Sequence, residues 1–129
     1  MNTAFVPSSQ DAALTLESAV GRTANYNGNV LDMGFGFSPG ACGMPVGAVV
    51  QVFSMSTVNG DESYLFKLQE SDDLTTWYDA SCPVAAASAN PMFTVPGFIS
   101  RRWVRLALAI GGTAPSIMYS AWLNPNVCP

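Results

Sequence analysis

Across residues 63–69 the side chains alternate in character. Tyr64, Phe66 and Leu68 fall on one side of an extended chain, and Ser63, Lys67 and Gln69 fall on the other. Ser71-Asp72-Asp73 then interrupts the run with short polar side chains that bond nearby backbone and favour turns. Trp77-Tyr78 opens a second extended run towards Ser81, so the stretch reads as strand, acidic turn, strand. The same period of two recurs in Arg102 to Ile110, where Val104, Leu106, Leu108 and Ile110 share a face. Ala48 to Val58 is rich in β-formers, and short strands are predicted at Asn29–Met33, Met92–Val95 and Ser116–Leu123.

Punctuation between these runs is frequent. Asn59-Gly60 is the residue pair that a tight type I′ turn prefers, and it predicts a hairpin joining the 48–58 strand to the 62–70 strand. Pro96-Gly97 should end the Met92–Val95 strand, and Gly111-Gly112 should turn the last two strands into a C-terminal hairpin. Gly34 to Gly47 holds five Gly and two Pro and reads as loop. Its glycines lack the Gly-Lys-Ser/Thr ending of a phosphate-binding loop. Pro83 to Pro91 reads as an Ala/Ser-rich connection.

Residues 1–28 differ from the rest, being polar and small. Within them Leu14, Leu16 and Val20 suit an extended strand, with a short helix from Ser9 as the competing reading. The pattern therefore predicts an all-β chain: an antiparallel β-sandwich of jelly-roll type over 29–129, preceded by an extended N-terminal arm over 1–28. The arm is expected to find its partner strand elsewhere, on another subunit.

Composition sharpens this picture. The chain has 129 residues, enough for one core and too few for two ordinary domains. Only 11% of residues are charged, against about 25% in typical soluble domains. Such thin charge coverage suits a surface rich in Ser, Thr, Asn and Gly, or one partly buried against partners. Net charge is −4 and the five basic residues form no extended stripe, which removes the electrostatic basis for direct nucleic-acid binding. Arg101, Arg102 and Arg105 cluster, either to solvate the outer face of a strand start or to meet a partner. No signal peptide is recognisable at Met1–Pro7, and no apolar run is long enough to cross a membrane. Cys42, Cys82 and Cys128 are odd in number and irregularly spaced, which argues for three free thiols, with Cys82 expected to be buried.

Candidate chemistry is sparse. The absence of histidine removes the usual general base and the Ser-His and Cys-His nucleophile pairs. The cysteine spacing does not suit zinc. Glu70, Asp72, Asp73 and Asp79 could gather oxygen ligands for calcium, or simply solvate a turn. A glycosidase carboxylate pair would need a deep cleft, which a sandwich of this size rarely has. No catalytic residue, metal or cofactor is expected. Trp77, Tyr78, Trp103, Tyr119 and Trp122 could pack in a core, fill an interface or stack on sugar rings.

Two segments taken together resemble a known family. Tyr64–Asp79, a strand, an acidic turn and a Thr-Trp strand, resembles a hairpin of small tailed-phage capsid proteins. Arg102–Leu123, with its Gly-Gly-Thr turn and Pro-Ser, is similar to their C-terminal hairpin. These are the phage capsid cement, or decoration, proteins of the jelly-roll type, and the resemblance covers about the last two-thirds of the chain. It implies a structural virion protein made in the host cytoplasm and carried on the capsid surface. It further implies a homotrimer that bridges major capsid protein subunits and contacts neither nucleic acid nor membrane. Leu14, Leu16, Val20, Arg101, Arg102 and Trp122 are the expected interface residues. The rival class is a carbohydrate- or receptor-binding β-sandwich module of a tail fibre or adhesin, which would need two exposed rings beside carboxylates or amides.

Overall fold

A computed structural model describes residues 15–34 and 43–124. They form ten β-strands and no helix: β1 Thr15–Arg22, β2 Tyr26–Asn27, β3 Leu31–Asp32, β4 Met44–Met55, β5 Ser63–Ser71, β6 Tyr78–Asp79, β7 Val84–Ala85, β8 Met92–Ile99, β9 Trp103–Gly111 and β10 Ile117–Asn124. The first sheet runs β1-β10-β4-β8, and the second runs β2-β9-β5-β6, with β3 also on β9 and β7 also on β5. Every pairing is antiparallel. The two sheets pack face to face as a β-sandwich.

The alternation read in the sequence becomes the inner face of each sheet. Tyr64, Phe66 and Leu68 of β5 and Val104, Leu106 and Leu108 of β9 meet Val46, Ala48 and Val50 of β4 and Ile117, Tyr119, Ala121 and Leu123 of β10 in one buried core. Phe66 anchors it. Its ring lies 5.1 Å from that of Tyr119 and 5.6 Å from that of Phe93, both edge-on, so one side chain of the second sheet touches two strands of the first. That geometry suits the ring quadrupole and adds to the area each ring buries.

Several local readings change. Asn59-Gly60 does not close a hairpin, because β4 pairs with β10 and β8 while β5 pairs with β9. The turn is a corner between the sheets: Gly60 N–H donates to Thr57 O at 3.1 Å, and Gly60 has φ +77°. Asn59 keeps an ordinary negative φ, so the turn is not type I′. Likewise β9 and β10 lie in different sheets, and Gly111-Gly112 is a crossover rather than a hairpin bend. Gly112 has φ +113°, and a Cβ there would sit 2.6 Å from Glu62 Cα, so the two corners press together at one end of the molecule.

Pro96-Gly97 does not end a strand. β8 runs on to Ile99, because it is an edge strand where a missing N–H costs no ladder bond. Gly97 is required by closeness: a Cβ would meet Ala80 O at 2.7 Å. The Gly/Pro-rich stretch is strand from Met44 onwards, and residues 35–42 lie outside the described part. The Ala/Ser connection contains β7.

The predicted arm over 1–28 is also corrected where it is described. β1 is hydrogen-bonded to β10 of its own chain, and Gly28 and Asn29 donate to Leu106 O and Leu16 O. Leu16 is 0% exposed, in the core of its own chain rather than against a neighbour. Residues 15–28 therefore belong to the sandwich. Residues 1–14, with Leu14 and the competing Ser9 helix, lie outside the described part.

Candidate functional site

The two outer faces of the sandwich differ in chemistry, and each carries part of the answer. β4, β8 and β10, three adjacent strands of the first sheet, contain no Asp, Glu, Lys or Arg at all. Residues that alternate with the core point outward there and form rows across the strands. Trp122, Val49 and Thr94 are paired in register, as are Ser120, Gln51 and Met92, and Pro45 lies opposite Phe98. The register shift in β10 between Met118 and Tyr119 leaves Phe53 of β4 between paired positions. Phe53 is 51% and Phe98 59% exposed, and Met92 and Met118 are nearly as open. Single exposed apolar groups are ordinary; here four lie on strands that carry no charge, while the β10 part of the same face is mostly buried. Trp122, expected at an interface, is only 9% exposed. Ser120 Oγ and Trp122 Nε1 are buried on this face without a hydrogen-bond partner among the described residues.

The second sheet's outer face is the polar one. Arg101 and Arg102 precede β9, and both are committed within the chain. Arg101 pairs with Asp72 and lies 3.6 Å from Glu70, with its guanidinium 4.3 Å from the Tyr78 ring centre. Arg102 grips Asp32 with two hydrogen bonds, at 2.7 and 2.9 Å, and lies 4.5 Å from the Trp103 ring centre. Those bonds, with the Gly34 amide, hold the Asp32 carboxyl down at about 2. Arg105 stands 4.1 Å over Trp77 and donates from Nε to Gln69 Oε1 at 2.9 Å. Partial burial lowers its pKa. Thus Trp77, Tyr78 and Trp103 each have a ring face occupied by a guanidinium, an arrangement favoured by the ring quadrupole. Tyr119 is in the core. Among the described residues no pair of bare rings is left on this face as a stacking platform.

Beside Arg105 the sheet dips into a trough of about 360 Å³. Ala107 and Ala109 of β9 and Leu65 of β5 floor it, with Asn25 and Asn27 on one side and Lys67 and Gln69 on the other. Lys67 and Gln69 both bond Asp79, which lowers that carboxyl's pKa through Gln69 first and Lys67 second.

The acidic turn after β5 is occupied by its own backbone. Asp73 Oδ1 accepts the amides of Thr75 and Thr76, which lowers its pKa. Ser71 Oγ accepts those of Asp73 and Leu74. Leu74 takes φ 66° to close the loop. Among the described residues no group of three or more acidic, Cys or His side chains could hold a metal.

Sequence reading missed one buried polar cluster. Glu17 of β1 is nearly enclosed, accepts a hydrogen bond from Arg22 at 3.1 Å and receives the Tyr119 hydroxyl at 3.4 Å. Arg22 in turn lies 3.4 Å from the Tyr26 ring centre. Burial first, and the Glu17 charge second, push the Tyr119 phenol well above its usual range. Glu17 and Tyr119 lie 102 positions apart in the chain, and only the β1–β10 pairing brings them together. Val20 of β1 is paired opposite Tyr119. Cys82, expected to be buried, is exposed, since it follows β6 in a surface connection. Cys42 and Cys128 lie outside the described residues. No family model matches the chain, and no curated protein matches it.

Proposed function

We propose that this chain is a structural virion protein, a cement or decoration protein that lies on the outer surface of a phage capsid and bridges major capsid protein subunits. The uncharged outer face of β4, β8 and β10 carries the reading. A face left to water would be expected to hold charged side chains, whereas the centre of a protein contact is depleted of them. The strand order supports the jelly-roll part of the reading. β2 and β3 occupy one flank of β9, and β6 and β7 one flank of β5, so the ten strands reduce to eight in two layers of four. The chain then changes layer at every link except that between β5 and β6, as in a jelly roll, an architecture used by viral capsid and lectin domains.

In this reading the protein is a homotrimer on the virion, made in the host cytoplasm, and contacts through the uncharged face stabilise the shell by mass action. Arg101 and Arg102 act as intramolecular clamps away from that face. The test compares heads with and without the protein. Heads that lack it should lose DNA at lower temperature or on milder osmotic shock, and equal survival of the two would overturn the proposal. A second reading, a carbohydrate- or receptor-binding module, is favoured by one observation, the trough with an apolar floor and polar walls on the other sheet.

A further inference from the structure

The sequence holds five basic side chains. Four have a carboxylate partner: Arg22 with Glu17, Lys67 with Asp79, Arg101 with Glu70 and Asp72, and Arg102 with Asp32. Arg105 alone has none among the described residues. Its Nε is taken by Gln69 and one face of its guanidinium by Trp77, which fixes the fork in place. Its Nη atoms have no acceptor in the described chain. Lys67 and Asp79 cancel nearby, so this patch carries a net positive charge on a chain whose overall charge is −4.

Arg105 does not itself line the trough, but it is paired across the strands with Gln69, which does, and it stands two positions before Ala107 on β9. On β9 it shares a face with Ala107 and Ala109, while Leu106 and Leu108 point into the core. Two residues along a strand span roughly 6.6 Å, so a ring resting on Ala107 brings an exocyclic group within reach of the guanidinium. The alanine methyls and the Leu65 side chain make a flat apolar floor. Asn25 uses Oδ1 on the Ile110 amide at 2.7 Å, which leaves its NH₂ to donate into the trough, and Asn27 faces the same space. Amides on one wall and an ammonium on the other suit a ligand with several hydroxyls. The volume of about 360 Å³ is at the small end of ligand sites, which run from roughly 300 to 1,000 Å³.

We propose that this trough binds an acidic sugar, a hexuronic or sialic acid, with its carboxylate on the Arg105 guanidinium and its ring over Ala107 and Ala109. A planar guanidinium matches a carboxylate with two parallel hydrogen bonds. An extended acidic peptide fits less well. Such peptides add to a free sheet edge, whereas β9 and β5 are bonded to neighbours on both flanks here. Recognition must therefore come from side chains. This site is separate from the uncharged face and does not depend on the capsid reading.

The experiment is an NMR titration of the full chain with galacturonate oligosaccharides and sialyllactose, beside lactose as the neutral probe and oligoglutamate as the acidic peptide. At least one acidic sugar should shift the amides of Asn27, Ala107 and Ala109 and bind at least about tenfold more tightly than lactose, the difference one charge-assisted contact supplies. Arg105→Gln should erase that preference, and Arg102→Gln should keep it. Ala109→Trp, at an exposed position, should fill the trough and abolish binding while the spectrum stays folded. No shift from either acidic sugar up to about 20 mM, in the range of negligible affinity, would overturn the proposal. So would equal binding of lactose, or oligoglutamate moving the same amides as strongly as the sugars.

Discussion

Asp32 and Arg102 illustrate what a single pair contributes. Both guanidinium contacts fall on one carboxylate, with Nε to Oδ1 and Nη2 to Oδ2, and the carboxyl is held at about 2 instead of its ordinary 3.8. A depressed carboxyl adds stability that is fully present above the unfolded value and is lost as pH falls through the folded one. The pair's contribution should therefore persist down to about pH 3.8 and vanish as pH falls through about 2. Carbon-detected NMR of the Asp32 carboxyl should show a midpoint near 2, and Arg102→Ala should return it towards 3.8. A midpoint that does not respond to the substitution would refute the assignment. Tyr64 is a second such point. Its hydroxyl has Ser56 O at 2.7 Å and Ser116 O at 3.1 Å as acceptors, and it receives the Ser116 amide at 2.9 Å, tying a second-sheet strand to both neighbouring corners. Tyr64→Phe leaves those groups short of a partner and should cost about 1–3 kcal/mol in chemical denaturation. The inward position of Tyr64 was legible from alternation alone. Its hydroxyl partners were not, because Ser116 is brought to it only by the folded corner 52 residues away.

Strands were legible where one face is buried and obscure where pairing decides. Tyr64, Phe66 and Leu68, and Val104, Leu106 and Leu108, all point inward as their period of two predicts. The partners of those strands could not be read, since a turn dipeptide says how the backbone bends and not which sheet it enters. Asn59-Gly60 and Gly111-Gly112 both look like hairpin bends, yet both carry the chain across the sandwich. β1 misled in another way. It belongs to a polar, small-residue segment that suggested an arm, but the enclosed Leu16 side chain fixes it to the core, and Glu17 finds Arg22 and Tyr119. Leu16→Ala should therefore lower the subunit's own stability by about 2–5 kcal/mol, the usual cost of an aliphatic cavity. An arm that packed only on a neighbour would show no loss in the isolated chain, so unchanged urea unfolding would restore that view. Gly97→Val tests β8 similarly. With Ala80 O and Ser81 Cβ already at 2.7 and 3.0 Å from the missing Cβ, overpacking should cost about 1–3 kcal/mol and loosen this edge strand.

At the scale of the molecule, the fold sorts charge. Low charge content was visible in the sequence, but its segregation was not, because β4, β8 and β10 are far apart in the chain and adjacent only in the first sheet. The charged residues of the described chain lie in β1, β3, β5, β6, β9 and the connecting loops, so the outer side of β4, β8 and β10 carries no charge. A contact made through that face would differ physically from one made through Arg105. Ion pairs between exposed groups weaken as salt shortens the screening length, from about 10 Å at 0.1 M to about 3 Å at 1 M, whereas burial of Phe53 and Phe98 does not. In the proposed capsid role, binding to heads and assembly of trimers through that face should accordingly change little between those two salt concentrations. Phe53→Asp and Phe98→Asp should each weaken capsid binding by about tenfold or more, since a buried unpaired carboxylate is costly. Both positions are more than half exposed in the chain itself, so the melting temperature of the isolated subunit should hardly move. Sedimentation of labelled protein with empty heads measures the first quantity and differential scanning calorimetry the second. If both variants bind as the parent does, the uncharged face is not the contact surface. If instead binding collapses in salt while the variants bind normally, the contact runs through the charged side of the sandwich.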